Sequence, residues 1–374
     1  MRNYTLSPFI ADGCSRKSPG PDQRPNPGGS PDGEAARARP AKLDRQRGDS
    51  VTLALERTSS AGVWLHLILA SDQDGKFTQM LIGVDFGGTQ VKAGIVEGGE
   101  VIRSTSAATR AGSEPKDILD VLAGAVLALS ATPESVGIAI PGEVDAVGRC
   151  WRLTNVPGFS GVHIAQELSR RLGGCPIAVE NDATSAALGE RLYGHGREHP
   201  SFLMVTLGTG IGGGLVLGHM LYPGANGFAA EFGHLNVDRG PDAPECACGQ
   251  RGCVESFAGT KALARKFKEL GGADVVDVLP ISVSARKGEP SGLGVFAMLG
   301  EGLGRGVAAV QNLLDLNAIV FSGGVAASFD LIEPHVRAAL ERYTFAPPLA
   351  EVPLLVSGLG ERAGIIGAAH LTTL

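Results

Sequence analysis

The chain has 374 residues, long enough for two domains with separate cores. Its net charge of −6 conceals a division: residues 1–79 carry 11 Lys+Arg against 9 Asp+Glu, leaving 22 against 30 for the remainder, and an acidic body of this kind argues against nucleic acid as a partner. No apolar run reaches the ~18 residues of a membrane span, and the stretch 61–70 is too short to span and too far from Met1 for a signal peptide, which points to the cytoplasm.

Residues 1–50 hold seven prolines among scattered Gly, Ser and Arg, with no hydrophobic period, a composition that predicts disorder. Met80 directly precedes Leu-Ile-Gly-Val-Asp-Phe-Gly-Gly-Thr, so residues 1–79 read as a disordered or spurious N-terminal extension ahead of a natural start. Residues 81–86 predict a buried strand, Gly87-Gly88-Thr89 a turn, and residues 91–96 a return strand. Apolar residues at helical spacing cover 115–130, and a strand over 136–140 ends at Pro141-Gly142. After a loop containing Asn155-Val156-Pro157-Gly158 come a helix near 162–172, a strand at 177–179 and a helix over 183–192. Strands alternating with helices specify an α/β layered fold.

The second half reopens in the same way. Residues 202–207 predict a strand, Gly208 to Gly214 a glycine turn, and residues 215–218 a return strand. Two such units about 120 residues apart read as an internal duplication. A third glycine turn, Ser322-Gly323-Gly324, follows a strand at 318–321, behind a long apolar helix over 294–314. The chain closes with a strand at 352–356 and a helix over 363–371.

Three of the six cysteines fall within eight positions, at Cys246, Cys248 and Cys253, with His234 upstream. Three thiolates and one imidazole match the tetrahedral preference of Zn²⁺ and close its shell, so the ion is structural and does not activate water. Any disulfide among the three leaves one unpaired. The glycine turns offer converging backbone N–H groups to phosphate oxygens, and three of them, each directly after a strand, fit a site that closes over a nucleoside triphosphate. None is a Walker A or dinucleotide motif. Asp85, at the lip of the first turn, is placed either to hold Mg²⁺ or to cap the turn.

Asp-Phe-Gly-Gly-Thr at 85–89, Glu-Asn-Asp-Ala at 180–183, Gly-Thr-Gly-Ile-Gly-Gly-Gly at 208–214, Glu-Phe-Gly-His at 231–234 and Cys-x-Cys-Gly-x-x-Gly-Cys-x-Glu at 246–255 together resemble the ROK (repressor, open reading frame, kinase) family of sugar kinases, from Met80 to the C-terminus. The resemblance implies an α/β fold of the actin-like, hexokinase-like ATPase type, a duplicated ribonuclease H-like motif with a zinc-stabilised loop at 231–255. It further implies a small α/β domain over 80–190, to which a C-terminal helix over 361–374 returns, and a large one over 191–360. The implied activity is ATP-dependent phosphorylation of a hexose at its 6-hydroxyl, an alcohol-group phosphotransferase, with ATP, Mg²⁺ and structural Zn²⁺ as cofactors and a homodimer or homotetramer as assembly.

By position, the resemblance makes Asp182 the catalytic base, for which an ordinary carboxylate pKa near ~4 suffices; an N-cap is its alternative role. Asn181, Glu231, His234, Glu255, Gly142 and Asn155 match the sugar side. Asp85, Gly87, Gly88, Thr89, Thr209, Gly210, Gly323 and Gly324 match the ATP side, and His234, Cys246, Cys248 and Cys253 the metal. Gln90 departs from the Lys or Asn common after Gly-Gly-Thr, with Lys92 two residues on along the same strand face. Ala230 stands where Gly commonly precedes the Glu. Glucose is the expected sugar, with N-acetylmannosamine, N-acetylglucosamine, fructose and allose as alternatives. A transcriptional repressor of the same family is the alternative of another class, disfavoured because residues 1–50 lack the periodicity of a winged helix.

Overall fold

Two sheets with the same strand order organise the chain. In the computed structural model, which describes residues 80–145, 148–153 and 156–374, the first contains β1 (Leu81–Phe86), β2 (Gln90–Glu97), β3 (Glu100–Ala108), β4 (Val136–Ile140) and β7 (Ile177–Asn181) in the order β3-β2-β1-β4-β7. The expectations for residues 1–79, including the repressor alternative that depends on them, and for Asn155 lie outside the described residues. β1 is buried almost throughout because β2 pairs with it antiparallel on one side and β4 parallel on the other. β5 (Gly142–Val144) and β6 (Cys150–Leu153) form a separate small hairpin. Two helices, α1 (Pro115–Leu129) and α2 (Ile164–Arg171), supply Ile118, Leu122, Ile164 and Leu168 to the core beneath this sheet.

The second sheet contains β8 (Phe202–Leu207), β9 (Ile211–Leu217), β10 (Met220–Leu221), β11 (Ala318–Ser322) and β12 (Leu354–Val356), ordered β10-β9-β8-β11-β12, again with two antiparallel pairings followed by two parallel ones. Its core is closed by α4 (Glu255–Ala258), α5 (Thr260–Glu269), α6 (Leu279–Arg286), α7 (Pro290–Leu314), α8 (Phe329–Tyr343) and α9 (Pro347–Ala350). Among the described residues α7 is the one helix long and apolar enough to cross a membrane by length and composition. Glu301 and Arg305 interrupt it as an ion pair 2.9 Å apart, and Val295, Phe296, Leu299, Leu303 and Val307 bury its other face in the second core.

Two helices exchange places between the sheets. α3 (Asp182–Tyr193) leaves the first sheet at β7 but packs Ala186 and Ala187 against Phe202, Met204 and Val216 of the second. In return, α10 (Arg362–His370) follows the second sheet yet packs Ile365, Ile366 and Ala369 on Leu81 and Val96 of the first. The contacts are backbone on backbone: a Cβ at Gly83 would lie 2.0 Å from the Ile365 carbonyl oxygen, and one at Gly367 would lie 1.7 Å from that of Ser185. At Gly137 an added Cβ would fall 1.6 Å from the Ala368 oxygen. Gly137→Ala is therefore expected to cost about 3 kcal/mol or more, read as a lower midpoint in urea unfolding.

Several elements differ from the sequence expectation for identifiable reasons. Gly212, Gly213 and Gly214 belong to β9 and leave the turn to residues 208–210. Glycine fills a strand here because neighbouring backbone crowds it: Cβ atoms at Gly213 and Gly214 would lie 2.2 Å from Ala230 O and 2.6 Å from Ala183 O. β3 gave no signal because it is an exposed edge with polar residues. α8 carries Pro334 inside it, which hid its apolar period.

Candidate active site

Parallel strands point their carboxyl ends the same way, so the segments after β1, β4 and β7 share one edge of the first sheet, and those after β8 and β11 share one edge of the second. The first edge carries Asp85, the 87–89 turn, Gly142, Asn181 and Asp182. The second carries the 208–210 and 322–324 turns.

The turns are pinned from behind and open in front. Gly87 N–H donates to Gln90 O at 2.9 Å, and the buried Thr109 donates its hydroxyl to Gly87 O at 2.6 Å and its N–H to Thr89 O at 2.9 Å. Thr260 holds the second turn in the same manner, its hydroxyl donating to Gly208 O at 2.8 Å. Gly323, at φ +91, lies against the Leu207 carbonyl where a Cβ would come within 2.3 Å, so the second and third turns stand side by side. Thr89, Thr209, Gly210, Gly323 and Gly324 are all exposed. Sequence reasoning missed Thr109 and Thr260, since a lone threonine in a loop carries no local signal.

Asn181 caps α3: its Oδ1 accepts from Ala183 N–H at 2.9 Å and Thr184 N–H at 3.1 Å, while Nδ2 donates to Gly142 O at 3.1 Å. This leaves Asp182, one residue on, free of the main capping duty, though its Oδ1 also takes the Ala183 N–H at 2.7 Å. Burial, then the charge of Asp85 with a contribution from Glu231, pushes the Asp182 carboxyl up to about 7. An ordinary carboxylate value would suffice for a base, but burial first, and the charges of Asp85 and Glu231 after it, hold this one well above that range. Asp85 itself is raised by burial, partly offset by Lys92, its cross-strand partner in the β1–β2 register.

Glu231 precedes a short 3₁₀ turn, 232–234, that carries His234. Withdrawal from water and the nearby Glu143 raise its carboxyl, against the opposing pull of His234 and Arg152. Arg152 forks onto Glu143, its partner across the β5–β6 hairpin, at 2.5 and 3.2 Å, and lies near enough to the 231–255 loop to feel the charges of Cys248 and Glu231. Trp151 of this hairpin meets Phe228 edge-on at 6.0 Å. Ala230 holds φ +64, a left-handed conformation that strains a non-glycine residue. Ala230→Gly is expected to raise stability by about 1 kcal/mol with activity retained, measured by urea unfolding beside a turnover assay.

His234, Cys246, Cys248 and Cys253 each offer one ligand atom, all within 4.8 Å of one another. Cys248 Sγ lies 3.8 Å from Cys253 Sγ, and Cys246 Sγ 3.8 Å from His234 Nδ1. Tetrahedral Zn–S bonds of about 2.3 Å give an S···S edge of about 3.8 Å, so the four residues fit zinc. Glu255 links this cluster to the second turn: Oε1 stands 3.8 Å from Cys246 Sγ, and Oε2 accepts from Ile211 N–H at 3.0 Å.

Glycine turns shaped for phosphate, set against clustered carboxylates at the strand ends of an α/β scaffold, define a protein built for phosphoryl chemistry. The chain belongs to the ROK family, whose sequence model matches residues 81–373. It is similar to a glucokinase of Streptomyces coelicolor, 33% identical over 314 residues that cover 78% of this chain and 97% of that protein. A kanosamine kinase of Amycolatopsis mediterranei is 34% identical over 297 residues, covering 78% and 96%. Among solved structures, a ROK family glucokinase from Streptomyces griseus in complex with glucose and AMPPNP superposes with a TM-score of 0.68 at 34% identity, covering 78% of this chain and 98% of that one.

Proposed function

We propose that this chain is an ATP-dependent hexokinase that converts glucose to glucose 6-phosphate. The observation that carries the reading is Asp182: a carboxylate at the head of α3, pushed up to about 7, beside a glycine turn open to phosphate. Asp182 takes the proton of the 6-hydroxyl as that oxygen forms its bond to the γ-phosphorus, and the bond to the bridging oxygen of ADP breaks. The turns at 87–89, 208–210 and 323–324 receive the phosphates through their backbone N–H groups. A glucokinase relative that binds glucose and an ATP analogue supports the same pairing of substrates.

On the sugar side, Glu231, Glu255, Asn181, Gly142 and His234 hold the hydroxyls. With Nδ1 of His234 turned toward sulfur, Nε2 is the ring nitrogen left to orient a sugar oxygen. Zinc on His234 and the three thiolates supplies structure only. Asp85 would hold Mg²⁺, which neutralises the phosphate oxygens; the fit rests on the mutual repulsion of Asp85 and Asp182, which a divalent cation relieves. The equal strand order of the two sheets supports duplicated halves in the actin-like manner, with 361–374 returning to the first half; because α3 packs on the second sheet, the division falls at the start of that helix and not at the expected residue 190. A homodimer or homotetramer in the cytoplasm, where clustered thiols stay reduced, completes the reading.

A coupled ADP-release assay over glucose, N-acetylmannosamine, N-acetylglucosamine and fructose tests it. Glucose is expected to show the highest kcat/KM. An amino sugar ranking first would reassign the substrate, and turnover with none of them would remove the proposal.

A further inference from the structure

Lys92 stands across the β1–β2 hairpin from Asp85, as its register partner. Its ammonium is engaged elsewhere: Nζ lies 2.9 Å from Glu361 Oε2, on the residue that precedes α10, 269 positions along the chain. Glu361 is largely exposed, at 82% of its side chain, and Lys92 partly so, at 39%. Asp85 feels both charges, and Asp182 feels Asp85. Glu361, Lys92, Asp85 and Asp182 thus form a series of alternating and then like charges that runs from the residue before the C-terminal helix to the proposed base.

We propose that Lys92 is a ligand for the nucleotide's terminal phosphates, held in reserve by Glu361. The inference rests on the kinase reading and deepens its ATP side. An exposed ion pair between two flexible side chains contributes little, so it yields readily to a polyphosphate that carries several charges in the adjacent turn. Lys92 reaches the phosphates as a flexible point charge. Glu361, released, is a negative group beside the entering anion and opposes its binding. Lys92 then supplies the cation for which the Gly-Gly-Thr-Gln run has no side chain.

The two partners have opposite expected effects, which a purely structural pair cannot produce. Titration of the full chain with AMPPNP, alongside steady-state ATP kinetics and thermal unfolding, measures them. Lys92→Met is expected to weaken AMPPNP binding about tenfold or more and raise KM for ATP in step, with KM for glucose unchanged. Lys92→Arg restores most of the affinity. Glu361→Gln is expected to tighten AMPPNP binding, and the double variant behaves like Lys92→Met. Weakening by both single changes, or parent-like binding by Lys92→Met, overturns the proposal while leaving the kinase reading intact. A parent chain that binds no AMPPNP overturns both.

Discussion

Asp182→Asn is expected to lower turnover by about 10²- to 10⁴-fold while glucose and nucleotide still bind. Asparagine keeps the shape and the hydrogen bond from Ala183 N–H but cannot take a proton. The pH dependence of the parent follows from the same group. A base must be ionised to act, and the Asp182 carboxyl titrates at about 7 without ligands, so kcat/KM is expected to fall as pH drops below that value and to level off above it. Stability runs the other way. A carboxyl raised in the folded state favours folding when protonated, so its contribution is full below its unfolded value of 3.8 and is lost as pH rises through about 7. Asp182→Asn is therefore expected to raise the melting temperature of the ligand-free protein at pH 8 and to leave it unchanged near pH 3, with a gain of at most about 4 kcal/mol. A variant with near-parental turnover would show that another group is the base. Equal melting temperatures at pH 8 would show that burial and the neighbouring carboxylates do not raise Asp182.

Cys248→Ser is expected to remove bound zinc, destabilise the 231–255 loop by on the order of several kcal/mol and weaken glucose binding. The loss should also reach the nucleotide side, because Glu255 joins Cys246 to Ile211 N–H directly behind the 208–210 turn. Metal content by mass spectrometry, the melting temperature and separate titrations with glucose and AMPPNP measure each part. Chelation of the parent should reproduce all four changes. Retention of one zinc per chain with unaltered glucose affinity would show that His234 and the acidic residues are placed without the metal.

Much of the site was legible in the chain because its chemistry is local. Cys246, Cys248 and Cys253 are close in sequence and share a short turn-rich loop, so their spacing alone predicts a cluster, and only His234 had to be added from twelve residues upstream. The Gly-rich turns announce themselves because backbone that must approach a ligand or another backbone tolerates no Cβ. The same residue type misled at Gly212 to Gly214, where glycine makes room for α3 and the Ala230 loop inside a strand. Asn181 also caps α3, its Oδ1 taking the Ala183 and Thr184 N–H groups while its amide donates to Gly142 O, a second duty beside Asp182 that two adjacent polar residues do not reveal.

By itself, the sequence determined the strand–turn–strand units, the His/Cys cluster that could hold a metal and the carboxylate at the head of α3, since these depend on side-chain type and short spacing. Only the tertiary structure decided that α3 crosses to the second sheet, that burial beside Asp85 and Glu231 raises Asp182, and that Lys92 meets Glu361 across 269 positions. The reason is that charge coupling and backbone packing act through space, and a folded chain brings together groups whose separation along the sequence carries no trace of the meeting.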